Sequence, residues 1–236
     1  MSSTDAHVRS ARDDAMAARA PSRSAGKHRA IMDAATTVFL KKGYVGTSMD
    51  EIAEIAGVSK QTVYKHFADK DRLFAEIVLA TTDDVDQVVR VLAGTLADTR
   101  DLEKDLRDVA RRFLARLMAP QLLRLRRLVI ANADRLPELG HAWYEQGFGR
   151  VLRTLATSFR RLAEHRLLFV DDAHLAAHHF VGMLLWIPLN EAMFTGNRRP
   201  RTNAELERYA DAAVRAFLKA YGPVRGVGPR SKGRRS

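Results

Sequence analysis

The chain has 236 residues, 46% hydrophobic, 28% charged and 7% aromatic, which excludes a disordered or fibrous protein and suits a small module joined to a larger one. Its 39 Lys and Arg against 28 Asp and Glu leave a formal charge of +11, which points to a polyanionic partner such as nucleic acid or an anionic membrane surface. Cysteine is absent, so disulfides, cysteine-based metal sites and thiol nucleophiles are excluded.

Residues 1–24 mix Ser, Ala, Arg and Asp with no apolar block, and read as a disordered arm rather than a signal peptide or anchor. From Lys27 the spacing becomes helical. Ile31, Ala34, Ala35, Val38 and Phe39 repeat on one face, Lys41 and Lys42 sit in the last turn, and Gly43 follows as a helix-ending residue.

The segment 47–67 carries the most information. Thr47 and Ser48 are both possible caps, and Ser48 with Glu51 three residues on forms a capping-box pattern ahead of a helix of about two turns. Gly57 can end that helix in the left-handed conformation, Val58 fills the angle, and Ser59 caps the next helix through Phe67. Helix, short glycine turn, helix is the helix-turn-helix layout, whose second helix presents its first residues to the major groove. On that helix Val63 and Phe67 face the core, which leaves Lys60, Gln61, Thr62, Tyr64, Lys65 and His66 outward. Gln61 can pair with an adenine edge, Thr62 can touch a thymine methyl, and Lys60 or Lys65 can reach guanine or phosphate. Tyr64 and His66 offer hydrogen bonds to phosphate oxygens. Asp69 is positioned to cap a fourth helix, which puts Lys70 beside another helix N-terminus suited to a phosphate. A capped helix pair is also compatible with local structure that binds no DNA.

The run TSMDEIAEIAGVSKQTVYKHF at 47–67, followed by DKDRLF at 69–74 and preceded by Phe39-x3-Gly43-Tyr44, closely resembles the DNA-binding domain of TetR-family transcriptional regulators. The resemblance spans about residues 27–77. It implies a three-helix DNA-binding head over 25–84, with the motif at 48–67, and a helical ligand-binding and dimerisation body over 85–222. It further implies that Thr47, Lys60, Thr62, Tyr64, His66 and Lys70 meet the phosphate backbone, with Ser48 beside them and Gln61 and Lys65 near base edges. A homodimer through helices near 172–195 and 203–221 would then bind a palindromic duplex, its recognition helices ~34–36 Å or a multiple apart.

In the body, helical spacing recurs near 70–95, 101–118, 120–132, 136–166, 172–195 and 203–221, with breaks at Gly94, Pro120, Pro137, 167–169 and 196–200. No strand alternation is present, so the chain reads as all-α with about nine helices. Asn203 is a possible cap for the last of them, and Pro188 predicts a kink or break near 184–187. Phe113, Met118, Trp143, Phe148, Phe180, Met183 and Trp186 form a bulky apolar set suited to a hydrophobic or aromatic effector, although for any single one of them ordinary core packing at helical spacing is the simpler reading. His174, His178 and His179 share a helix but match no complete metal-ligand signature, and Asp171 and Asp172 beside them suit helix capping, so no metal or other cofactor is expected.

The longest apolar run, 180–189, is about half of the ~20 residues that span a bilayer, so a cytoplasmic protein without membrane contact is expected. The charge excess is uneven: the last 14 residues hold 5 basic and no acidic side chains, whereas 27–76 hold 8 basic and 7 acidic. The stretch 223–236 reads as a disordered basic tail that adds non-specific attraction to DNA. The leading expectation is a ligand-responsive repressor with no catalytic residues. The alternatives are a helical small-molecule carrier or enzyme with a vestigial head, and a general basic nucleic-acid binder.

Overall fold

The computed structural model describes residues 23–223, apart from the side chains of Asp83, Asp84 and Asp86. The expected arm and tail lie outside the described residues except for Arg23, Ser24 and Pro223. The elements are α1 (Arg23–Lys42), α2 (Met49–Ile55), α3 (Lys60–His66), α4 (Lys70–Ala97), α5 (Leu102–Leu117), α6 (Pro120–Ala131), α7 (Pro137–Tyr144), α8 (Arg150–Glu164), α9 (Ala173–Thr195) and α10 (Asn203–Tyr221). A π-helical turn, Glu145–Gly149, joins α7 to α8. Taken as one interrupted rod, that pair makes nine helices among the described residues. Two compact units meet in sequence between Ile77 and Val78, inside α4 and seven residues before the expected boundary.

In the first unit α1 buries Ile31, Ala34, Ala35, Val38 and Phe39, the five residues its spacing selects. The helix is already formed at Arg23, the first described residue, ahead of the first apolar signal. Residues 23–27 are exposed, so no burial pattern marks them, and extending an existing helix needs only one further hydrogen bond per residue. Gly43 adopts a φ of 75° and Gly57 one of 65°, the left-handed conformations that end α1 and α2. Phe39, Tyr44 and Phe74 pack as a ring cluster with centroids 5.0–5.9 Å apart, and Ile52, Val63 and Leu73 close the core.

The second unit is built around Phe159, Phe180 and Phe217, each almost fully buried, with centroids 5.1–5.7 Å apart. A two-bond pair, Arg111 to Asp211 at 2.8 and 2.7 Å, ties α5 to α10. Three local expectations are corrected. Gly94 does not end its helix, which continues to Ala97. Leu92 and Leu96 are buried on either side, and that packing outweighs a glycine cost of about 1 kcal/mol. Pro188 lies inside a continuous α9, which overturns the break but not the kink expected near 184–187, and buried Leu184, Leu185 and Ala192 offset a proline cost of ~3 kcal/mol. The cap of α10 is Thr202 and not Asn203: Thr202 Oγ1 accepts from Glu205 N while the Glu205 carboxylate accepts from Thr202 N.

Candidate functional site

The α2–α3 pair forms because each helix has its own start and the glycine between them has a conformation few other residues tolerate. Ser48 Oγ accepts from Glu51 N at 3.2 Å, and Ser59 Oγ accepts from Thr62 N at 3.2 Å. The Ser48 box is only half formed, because the Glu51 carboxylate accepts from Lys42 Nζ at 2.7 Å instead of turning back to its own helix. Val63 and Phe67 are buried, which fixes the roll of α3. Gln61, Tyr64 and Lys65 consequently stand exposed on its outer side.

The remaining candidates divide by what already holds them. The Lys60 ammonium lies 2.8 and 2.9 Å from the two Asp50 oxygens, and this hydrogen bond raises it above its ordinary value. The Thr62 hydroxyl shares a 2.8 Å hydrogen bond with Ser59 Oγ, so it reinforces the cap. His66 is half-buried, its ring edge-on to His28 at 5.8 Å, while His28 Nε2 lies 2.8 Å from Glu76. Thr47 is buried, and its hydroxyl donates to Gly43 O at 2.7 Å. Lys70 Nζ donates to the carbonyls of Tyr44 (3.1 Å) and Thr47 (3.0 Å) and rides over the Tyr44 ring at 4.6 Å. The Tyr44 hydroxyl in turn donates to the Asp71 carboxylate. Thr47 and Lys70 therefore brace the α1–α2 loop and the start of α4, whereas Gln61, Tyr64 and Lys65 are the freely presented surface.

A second site lies within the body. Phe113, Trp143 and Phe148 line one apolar chamber together with Thr81, Thr82, Val85, Val88, Leu117, Leu122, Arg116, Arg126 and Val151. It holds about 60 Å³ of space and adjoins a groove of about 440 Å³ that shares Val88, Phe113 and Arg116 with it. Trp143 Nε1 donates to Thr81 Oγ1 at 3.2 Å, which sets the indole against α4. Arg126, which sequence reasoning missed, is 4% exposed, and burial pushes it down to about 10. A signal was available: Arg126 lies three residues after Leu123 and three before Val129, both buried, where helical spacing calls for an apolar residue.

The other expected pocket residues are elsewhere. Phe180 belongs to the ring core, and Met118 is buried in the core without lining the chamber. Met183 and Trp186 are exposed on α9, Trp186 at 70%, on a face with Leu175 and Ile187. The histidines near 174 do not converge: His178 Nδ1 meets His174 O at 2.8 Å, and His179 Nδ1 meets Tyr221 Oη at 2.5 Å. Among the described residues no cluster of three or more His, Asp or Glu suits a metal, and no helix is long and apolar enough to cross a membrane.

Comparison with known proteins places both units. Residues 31–77 match the model of bacterial regulatory proteins of the tetR family, and 104–223 match that of the AefR-like transcriptional repressor C-terminal domain. A crystal structure assigned to the TetR-family regulators, from Mesorhizobium loti MAFF303099, is 55% identical, with a TM-score of 0.79 over 86% of this chain and 100% of that one. The flavonoid-responsive regulator FrrA is 30% identical, with a TM-score of 0.66 over 84% of this chain and 98% of its own. The HTH-type transcriptional activator FasR of Mycolicibacterium smegmatis is 39% identical over 70 residues, which span 30% of this chain and about a third (32%) of that relative.

Proposed function

Since the chain belongs to the TetR family of bacterial transcriptional regulators, we propose that it is a repressor that binds a palindromic operator as a homodimer and leaves it when a small effector enters the body. The observation that carries this reading is the acid-free outer side of α3, where Gln61, Tyr64 and Lys65 are exposed beside the capped N-terminus. Gln61 and Lys65 read base edges, and Tyr64 holds a phosphate. Asp50 competes with phosphate for Lys60, which makes that contact only where its pair with Asp50 is broken. Thr47, Ser48, Thr62, His66 and Lys70 act by fixing the loops and helix starts that meet the backbone.

The second copy covers the apolar α9 face that carries Leu175, Met183, Trp186 and Ile187, since an exposed patch of this kind on a helix beside α10 suits a self-complementary seam. Effector control follows α4, which begins at Lys70 and continues to Val85 and Val88 in the chamber wall. A ligand that prefers one setting of α4 shifts the equilibrium between operator-competent and incompetent dimers, and a coupling of ~1–3 kcal/mol is enough for a useful response.

The test is a shift assay on DNA flanking the protein's own coding region, with competitor DNA at two salt concentrations. Sequence-specific binding that survives salt better than bulk binding supports the proposal. Equal affinity for every duplex transfers the function to a general basic binder. Absence of binding transfers it to a carrier or enzyme with a vestigial head.

A further inference from the structure

Arg126 is out of place by every rule that governs buried groups. It projects from α6 into an apolar chamber, is 4% exposed, and its Nη1 has no hydrogen-bond partner. Among the described residues no carboxylate pairs with it, and burial alone accounts for its lowered proton affinity. It nevertheless remains charged at neutral pH. The guanidinium carbon lies 4.9 Å from the Phe148 ring centre and 5.5 Å from that of Trp143. Such contacts attract the cation but accept none of its N–H groups. The Thr81 hydroxyl donates to Val78 O and accepts from Trp143 Nε1, and the Thr82 hydroxyl donates to Leu79 O with Gln146 Oε1 3.4 Å away; no hydrogen bond joins either hydroxyl to the guanidinium. A buried cation without an acceptor is among the costliest features a core can hold, and it persists where something else supplies the acceptor.

We infer that the chamber takes an aromatic carboxylic acid, its carboxylate paired with the Arg126 guanidinium and its ring held among Phe113, Trp143 and Phe148. The inference rests on the reading of this chamber as the effector site and gives that site its chemistry. A cation is excluded by charge, and a neutral ring leaves the guanidinium as it is. A carboxylate matches the planar donor fork of arginine with two parallel hydrogen bonds, in surroundings where such bonds are strong. At about 60 Å³ the chamber is smaller than the roughly 300–1,000 Å³ typical of ligand pockets, so the acid enters by opening the wall at Val88, Phe113 and Arg116 toward the adjoining groove. The opening moves α4 against α5, the displacement an effector of a DNA-binding dimer needs.

The experiment titrates the full-length protein with benzoate, salicylate, cinnamate and 2-naphthoate and with the corresponding primary amides. Binding is read by tryptophan fluorescence, to which Trp143 contributes directly, and by melting temperature. We expect at least one acid to bind saturably, one per chain, with its amide about tenfold or more weaker. Arg126→Met should weaken that acid by about tenfold or more and raise the melting temperature of the ligand-free protein, because an unpaired buried charge is removed. Arg126→Lys should retain part of the preference for acid over amide. Failure of every acid to bind, equal binding of acids and amides, or undiminished acid binding by Arg126→Met overturns the inference. So does a fall in the ligand-free melting temperature of Arg126→Met, which assigns the residue to the scaffold. Operator binding by the same wild-type preparation is measured in parallel: its absence overturns the regulator reading and leaves the comparison of acids with amides to be judged by itself.

Discussion

Asp50→Asn should make the protein bind DNA more tightly and with a steeper dependence on salt. In the free chain the Lys60 ammonium is held between the two Asp50 oxygens at 2.8 and 2.9 Å, at the start of α3. Both side chains are exposed, so the pair adds little to folding, but it cancels one positive charge beside the recognition helix. Each phosphate newly neutralised steepens the slope of log affinity against log salt by ~0.9, hence ~1.8 for a dimer that frees two lysines. Over a fourfold rise in salt, a slope change of ~1.8 is an additional loss of about tenfold. Fluorescence anisotropy with an operator duplex and a scrambled duplex between 50 and 200 mM salt, as ~0.05 to ~0.2 M, measures both slopes. The variant should be tighter at the low end for both duplexes and approach wild type at the high end. The double variant Asp50→Asn with Lys60→Gln should lose the gain. An unchanged slope in Asp50→Asn refutes the argument, because Lys60 would then not be withheld from phosphate by Asp50.

Gln61→Ala should relax preference at one base position per half-site, by about 1–3 kcal/mol of discrimination, in a binding selection on randomised duplexes. An unaltered position profile removes Gln61 from base reading. The body should lose stability in acid: Arg111 holds the Asp211 carboxyl below its usual range, and backbone N–H groups do the same for Asp172 and Glu205. Depressed carboxyls stabilise above their ordinary values, so that contribution is lost as pH falls below ~4, and Asp211→Asn should flatten the acid limb of a melting-temperature profile. Phe217→Ala, at the centre of the Phe159–Phe180–Phe217 cluster, should cost ~3–5 kcal/mol of body stability in chemical denaturation, and a loss below ~1 kcal/mol would mean the cluster repacks freely.

The head was legible because its chemistry is local. Ser48, Gly57, Ser59 and Asp69 each act within three or four residues of themselves, and the caps and turns they make follow from residue type and spacing. What neighbours do to a side chain was not legible. Lys60 and Lys65 are both exposed lysines of one helix, yet Asp50, ten residues before Lys60, pairs with Lys60 and not with Lys65. Thr47 could have pointed outward, but the path of the loop turns it to Gly43. In the body, large apolar residues have three destinations that composition cannot separate: core for Phe180, chamber wall for Trp143, exposed face for Trp186. Arg126 was missed because an arginine on a helix rich in arginine looks like solvent-facing charge until its place in the stripe is counted.

The π turn at Glu145–Gly149 makes the chamber sensitive to chain length as well as to side-chain identity. Gly147 and Phe148 line the chamber from within this widened turn, Trp143 lines it from the helix before, and Val151 from the helix after. Removing one residue from 145–149 would restore an ordinary helical turn and leave α7 and α8 nearly in phase, because the widened turn absorbs one extra residue. Gly147 and Phe148 would lose the wide turn that sets them on the wall, while Trp143 and the buried stripe of α8 kept their register. A one-residue deletion at this turn would thus reshape the chamber from inside the wall, with no change to the residues of the surrounding core.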